Sequence, residues 1–396
     1  MYRRVDDLNV TGERVLVRVD FNVPIKDGVV KDDTRIRAAL PTLRALLERG
    51  ATLVLTSHLG RPKGGPEDKY RLGPVARRLG ELLGREVRYA PTPGPASAEQ
   101  QEFVAAAPPG SVTLIENSRF DPREEANDPA LARTLASYAS VYVDDAFGAA
   151  HRAHATTEGV ARLLPNAAGY LMDAELSALA RLVEHPTRPF VVVLGGAKVS
   201  DKLGVITRLL ALADTIAVGG AMAYTFVAAR GGSVGKSLVE PELYHTARRI
   251  VADAEARGVR LLLPRDSVCA RAIDDGAGAS VHQSDAIPDD LMGLDIGPAA
   301  RAEFVAALQG AGTVFWNGPL GVFETPPFDA GTMAVGTALA ALPAYTVVGG
   351  GDSIAALNSA GLLERISHVS TGGGASLEYL EGRVLPGVAA LDPTTL

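Results

Sequence analysis

The chain has a single cysteine, Cys269, so no disulfide can form within it. That fits a reducing compartment, and the expected location is cytoplasmic. It has no apolar run near the ~20 residues that a membrane helix requires. Its first ten residues, MYRRVDDLNV, lack the apolar core of a secretory signal. The Asn9-Val10-Thr11 sequon would matter only in a secreted protein. There is no basic excess either. A net charge of -7 argues against a general nucleic-acid binder, which needs a basic face, but leaves room for a local basic pocket. Lysine is scarce: seven of the 39 basic residues are lysine and the rest are arginine. Where such a chain keeps lysine, a compact point charge serves better than a planar fork. Two of the seven, Lys198 and Lys202, stand in one short segment, GGAKVSDK.

Several motifs are also missing. GGSVGKS (231–237) looks like a P-loop, but Arg230 occupies the position where the motif needs its first glycine. No G-x-G-x-x-G follows the first strand, and the protein-kinase signatures are absent. His151 and His154 are three apart with no neighbouring cysteine, so no zinc site is expected. Cys269 reads as a core residue after a strand.

What is present is an alternation of short β-rich runs and longer helical patterns. That is the mark of βαβ units and a mainly parallel sheet. Strands are expected at 15–19, 52–56, 112–115 and 141–144, then at 190–194, 215–218, 260–264, 313–316, 346–348 and 368–370. With 396 residues the chain exceeds one ordinary core. The expected fold is α/β, with two similar-sized lobes, each an open, mainly parallel, Rossmann-like sheet flanked by helices. Residues 1–170 form the first lobe, 189–384 the second, and a helix over 170–189 joins them, with 171–188 as the hinge.

Ligands bind beyond the carboxyl ends of parallel strands, so the residues just after each strand matter most. In the first half these include Asp20, Phe21 and Asn22, then His58, Leu59, Gly60 and Arg61, then Arg119, then Arg152, with Arg35 near the same rim. One such arginine alone is ordinarily a surface charge. Several on one rim suit a multiply anionic metabolite, because guanidinium binds phosphate and carboxylate bidentately. Asp20 and Asn22 are placed to accept from a substrate hydroxyl. In the second half, glycine clusters follow the strands: Gly195-Gly196, Gly219-Gly220, Gly349 to Gly351, and Gly372 to Gly374. One cluster is a tight turn. Four on one edge let backbone N–H groups approach phosphate oxygens. Lys198 and Lys202 are four apart, so on a helix they would share a face and hold an anion between them.

Nine segments, RVDFNVP, SHLGRP, ENSRF, DAFGAAHRAH, GGAKVSDK, GLDIGP, WNGPLGVFE, GGGDS and TGGGASLE, together resemble the phosphoglycerate kinase family, in order, from residue 18 to LPGVAALD near the end. The resemblance implies a 3-phosphoglycerate site of Asp20, Phe21, Asn22, Arg35, His58, Leu59, Gly60, Arg61, Arg119 and Arg152. It implies a nucleotide site of Lys198, Lys202, Gly219, Gly220, Gly293, Asn317, Glu324, Gly350, Gly351, Asp352 and Ser353. Asp352 is the expected magnesium-nucleotide residue, and Mg2+ with ADP or ATP the expected cofactor. The tail at about 385–396 is expected to pack back on the first lobe, and the chain to act as a monomer. Arg35, Lys198 and the backbone of Gly351 and Gly374 are expected to stabilise the transferring phosphoryl group. The chain departs from the common family pattern at Ala149, Ala221 and Tyr224. Two other readings predict different behaviour. A closing anion-binding protein would bind phosphoglycerate without any nucleotide dependence. An NAD-dependent dehydrogenase would need the missing glycine fingerprint.

Overall fold

A computed structural model describes residues 2–391. The chain divides into two compact units. One runs up to Ser177 and takes in the residues from Val384 onward; the other is Ala178–Arg383.

The first unit is built on six parallel strands: β1 (Arg14–Arg18), β2 (Thr52–Thr56), β3 (Val87–Arg88), β4 (Val112–Leu114), β5 (Val141–Asp144) and β6 (Asn166–Ala168). They lie in the order β3-β4-β2-β1-β5-β6. β2 and β5 are buried along their whole length, as strands covered on both faces must be. Helix Thr34–Glu48 lays Ile36, Ala39, Leu40, Leu43 and Leu46 on the sheet at helical spacing. Gly84, at φ 67°, ends helix Gly73–Leu83 in the left-handed conformation. A short helix from the C-terminal segment, Pro386–Ala389, belongs to this unit. Gly387 N–H donates to the Ala150 carbonyl at 2.9 Å, and Asn166 Nδ2 to the Ala390 carbonyl at 3.2 Å. Residues 392–396 of the expected tail lie outside the described residues.

The second unit repeats the plan with β7 (Phe190–Leu194), β8 (Thr215–Val218), β9 (Arg260–Leu262), β10 (Thr313–Asn317), β11 (Tyr345–Gly349) and β12 (His368–Val369). All six are parallel, in the order β9-β8-β7-β10-β11-β12. In each sheet the first strand is central and later strands add on either side. This reversal opens a crevice at the carboxyl ends of the central strands. Trp316 on β10 is fully buried and its indole N–H donates to the Gly318 carbonyl at 2.8 Å.

The ten expected strands are all present, with ends shifted by at most two residues. β3 and β6 were not anticipated, because two or three residues such as Asn166-Ala167-Ala168 carry no β-rich run. The second unit also holds an antiparallel sheet of Asp266–Ala270, Ser280–Gln283 and Met292–Ile296 that the alternation did not announce. Cys269 therefore lies within a strand rather than after one. Burial pushes its thiol up to about 12, which leaves it unreactive. The helix expected over 170–189 spans Tyr170–Val183. Pro186 disfavours the helical conformation of the residue before it, so the helix stops short.

Candidate active site

In the first unit the residues after four strands converge. Asp20 follows β1 and its carboxylate accepts from Arg35 Nη1 at 3.0 Å and from Asn22 N–H at 3.2 Å. Arg35 is in the first turn of helix Thr34–Glu48, so the helix fixes its base. Asn22 Oδ1 already accepts from Gly60 N–H at 2.9 Å, which leaves its NH2 group to donate elsewhere. Gly60 must be glycine, since its φ is 62° and a Cβ there would collide with the Tyr70 ring. Arg119 Nη1 donates to the Gly60 carbonyl at 2.8 Å. Asp20, Asn22, Arg35, Gly60 and Arg119 thus form one bonded set, which Leu59 joins through Asn117 and beside which His58 lies. Phe21 and Leu59 are buried and contribute through their backbones. Arg61 and Arg152 are exposed at the edge of this set.

Asn117, following β4, clamps the loops. It is fully buried; Oδ1 accepts from Leu59 and Arg119 N–H, each at 3.1 Å, while Nδ2 donates to the Leu59 and Tyr70 carbonyls at 2.8 and 2.9 Å. Four bonds use the amide's full capacity.

Arg18, on β1, is a member that the sequence reasoning missed. It is almost fully buried, and donates from Nε to Thr156 Oγ1 at 2.9 Å and from Nη1 to the Val19 carbonyl at 2.5 Å; Nη2 lies 3.1 Å from His58 Nδ1. Thr156 in turn donates its N–H and hydroxyl to the buried Glu124 carboxylate at 3.0 and 2.5 Å. The available signal was a charge inside an otherwise apolar run, VLVRV.

Charge in this region is crowded. Burial, with Arg18, Arg119 and Arg35 nearby, pushes His58 well below its ordinary value against the pull of Asp20, so the ring is neutral at pH 7. Burial opposes the Asp20 charge, but His58, Arg35 and Arg18 outweigh it and hold the carboxyl below the usual range; with the ring neutral, the two arginines supply that pull at pH 7. Burial likewise lowers Arg119; Arg152 and Arg18 press on it further, while Glu125 opposes them. Cations that repel one another on a shared rim form a site for a multiply charged anion.

In the second unit the glycines let backbones meet. A Cβ on Gly195 would collide with the Pro319 carbonyl. Gly220 has φ 66°, and a Cβ there would lie 2.7 Å from Gly196 N. Lys202 is buried and donates to the Asn317 carbonyl at 3.1 Å and also to Asn317 Oδ1. Burial lowers its amine to about 8, with Asp201 and Asp352 opposing. Asn317 Nδ2 is buried without a hydrogen-bond partner and faces the Gly349-Gly350 turn. Ser353 Oγ accepts from Gly318 N–H at 2.7 Å. Gly350, at φ 89°, precedes helix Gly351–Ser359, whose first turn carries the exposed Asp352. Gly374 opens helix Gly374–Leu380.

One expectation changes. Lys198 and Lys202 do not share a helical face. Lys198 precedes the 3-10 turn Ser200–Lys202 and is exposed, whereas Lys202 points inward onto Asn317. Gly293 lies in the antiparallel sheet, where a Cβ would collide with the Tyr224 hydroxyl, so its bareness makes room for Tyr224. Tyr224 packs with Val227, Val234, Cys269 and Ile287, which explains how this departure from the family pattern is housed. Ala149 is buried beside the C-terminal segment's contact, and Ala221 stands at the start of helix Met222–Ala229. Glu324 is exposed in a turn, with no bond to the glycine loops among the described residues.

Similarity to known proteins extends over nearly the whole chain. The family model described as phosphoglycerate kinase matches residues 5–383. The chain belongs to the phosphoglycerate kinase family. It is 58% identical to a phosphoglycerate kinase of Thermus thermophilus over 98% of this chain and 100% of that one. It is 53% identical to the phosphoglycerate kinase of Roseiflexus castenholzii over 98% of this chain and 99% of that one. The solved structure of phosphoglycerate kinase from Coxiella burnetii matches with a TM-score of 0.91 at 40% identity, covering 100% of both chains. Among the described residues no helix is long and apolar enough to cross a membrane.

Proposed function

We propose that this chain transfers the acyl phosphoryl group of 1,3-bisphosphoglycerate to ADP, giving 3-phosphoglycerate and ATP, and runs the reverse reaction, as a cytoplasmic monomer. Two observations carry the reading, each within its own unit: an arginine rim at the sheet edge of the first, and a buried lysine among glycine turns at the sheet edge of the second. Arg35, His58, Arg61, Arg119 and Arg152, with Asp20, Asn22 and Gly60, hold 3-phosphoglycerate. Lys198, Lys202, Gly219, Gly220, Gly293, Asn317, Glu324, Gly350, Gly351, Asp352 and Ser353 hold the nucleotide.

The acceptor of the reverse reaction is a carboxylate, already ionised at pH 7, so no general base is required. Catalysis is then positioning plus stabilisation of charge on the three equatorial oxygens. Arg35 and Lys198 supply that charge, with backbone N–H groups at Gly351 and Gly374. In-line transfer demands bonding reach, so both edges serve a single turnover. Asp352 fits a magnesium ion: an exposed carboxylate with no hydrogen bond or ion pair among the described residues is a hard oxygen ligand, and this ion commonly takes one or two carboxylates plus substrate phosphates. When bound, the ion neutralises nucleotide phosphate charge. A coupled assay of ATP consumption with 3-phosphoglycerate, with and without magnesium, tests the reading. Turnover should need all three components, and its absence would overturn the proposal.

Lys202 gives the nucleotide affinity a pH dependence. Its amine is charged below about 8, and a bound phosphate favours that charge. Affinity for ADP should be level at lower pH and weaken as pH rises through about 8, by up to about ten-fold per unit. Calorimetry at pH 7 and 9 checks this, and Lys202→Met should abolish the difference. Equal affinity at both values in the parent would rule the role out.

A further inference from the structure

The arrangement of GGAKVSDK raises a question that neither lysine answers. Something outside the segment turns the chain so that Lys198 stands outward and Lys202 inward. Glu240 lies about forty residues on and has no place in the proposed substrate or nucleotide contacts. Its carboxylate accepts from Val199 N–H at 2.6 Å, from Ser200 N–H at 3.1 Å and from the Ser200 hydroxyl at 2.5 Å. Those N–H groups open the turn leading into helix Leu203–Leu209 and have no partner within a helix. Glu240 is itself anchored, since its backbone N–H donates to Thr225 Oγ1 at 3.1 Å. Thr225 is buried on helix Met222–Ala229, the helix that follows Gly219-Gly220. A chain of hydrogen bonds thus runs from that helix through Glu240 to the turn between the two lysines.

We propose that Glu240 is a positioning residue that sets where Lys198 stands for phosphoryl transfer. This rests on the reading of Lys198 given above. A carboxylate beside a phosphate-handling lysine repels the substrate, so its presence there needs a compensating purpose. Bracing the turn supplies one. Burial opposes the Glu240 charge, but the bonds from Ser200 and Val199 and the field of Lys198 outweigh it and hold the carboxyl below its ordinary value. It is therefore ionised, and a full acceptor, throughout the neutral range. Lys198 has no hydrogen bond or ion pair among the described residues, so its backbone and the field of Glu240 locate it.

The competing account is a helix cap that adds stability alone. The full chain distinguishes the two in the coupled assay with ATP, magnesium and 3-phosphoglycerate. Glu240→Ala should lower kcat on the order of ten-fold, because a misplaced catalytic group loses its alignment. KM for 3-phosphoglycerate should not move. Glu240→Asp keeps both oxygens on a shorter arm and should recover part of the loss. In a Lys198→Ala background, Glu240→Ala should cost nothing further, as two changes acting through one group are not additive. A lowered melting temperature with unchanged kcat would overturn the proposal, and so would a full additional penalty in the Lys198→Ala background. Near-normal turnover of Lys198→Ala by itself would instead remove the reading beneath it. A large loss in Lys198→Ala with a silent Glu240→Ala would sink this proposal and leave that reading standing.

Discussion

Lys198→Ala should lower kcat by roughly two to three orders of magnitude while leaving the melting temperature unchanged. The side chain is exposed and makes no hydrogen bond or ion pair among the described residues, so its removal breaks nothing in the fold. Its charge gains value only when negative charge spreads over the phosphoryl oxygens in flight. An interaction made only in the transition state lowers kcat and kcat/KM together. Steady-state kinetics of the variant, read with a thermal melt, checks both halves. Near-normal turnover would sink the assigned role. A fall in melting temperature would show that the side chain has a structural partner. Lys202 makes the contrast: its amine is buried on Asn317, so removing it should disturb both stability and nucleotide affinity.

Arg18→Ala should strongly destabilise the first unit. The guanidinium is almost fully buried and holds Thr156, the Val19 carbonyl and the His58 ring together. Its charge also offsets the burial of Glu124, which desolvation raises above its ordinary value. Removing one member of such a set strands the others, at a cost of about 3–5 kcal/mol. For a unit of this size the melting temperature should fall by roughly 6–20 °C. The loss should extend to function. His58 and Asp20 both feel Arg18, so the KM for 3-phosphoglycerate should rise with the KM for ATP little changed. Thermal melts followed in the presence and absence of 3-phosphoglycerate, with separate KM values, test this. An unchanged melt would show that the buried charge is dispensable.

The two predictions concern residues that differ in how far the sequence reveals them. Lys198 is conspicuous because lysine is scarce and GGAKVSDK is a recognisable segment. Arg18 looks like one more strand residue. Nothing in VLVRV says that its charge turns inward and meets Thr156, which lies 138 positions on. Asn117 is similar. It is visible as a residue after a strand, but its role as a clamp depends on Leu59 and Tyr70 arriving from elsewhere in the chain.

The parallel architecture, ten of its twelve strands and the strand-end residues were set by the sequence itself. Those follow from local rules: β-rich runs separated by helical periodicity pair in parallel, and the loops after them must meet at one edge. The tertiary structure alone decided which strand-end groups touch, which charges are buried, and which way each lysine points. Contacts across long separations, such as Glu240 to Ser200 or Arg18 to Thr156, depend on how whole elements pack. Side-chain burial and ionisation follow from that packing, so they leave no mark on a short window of residues.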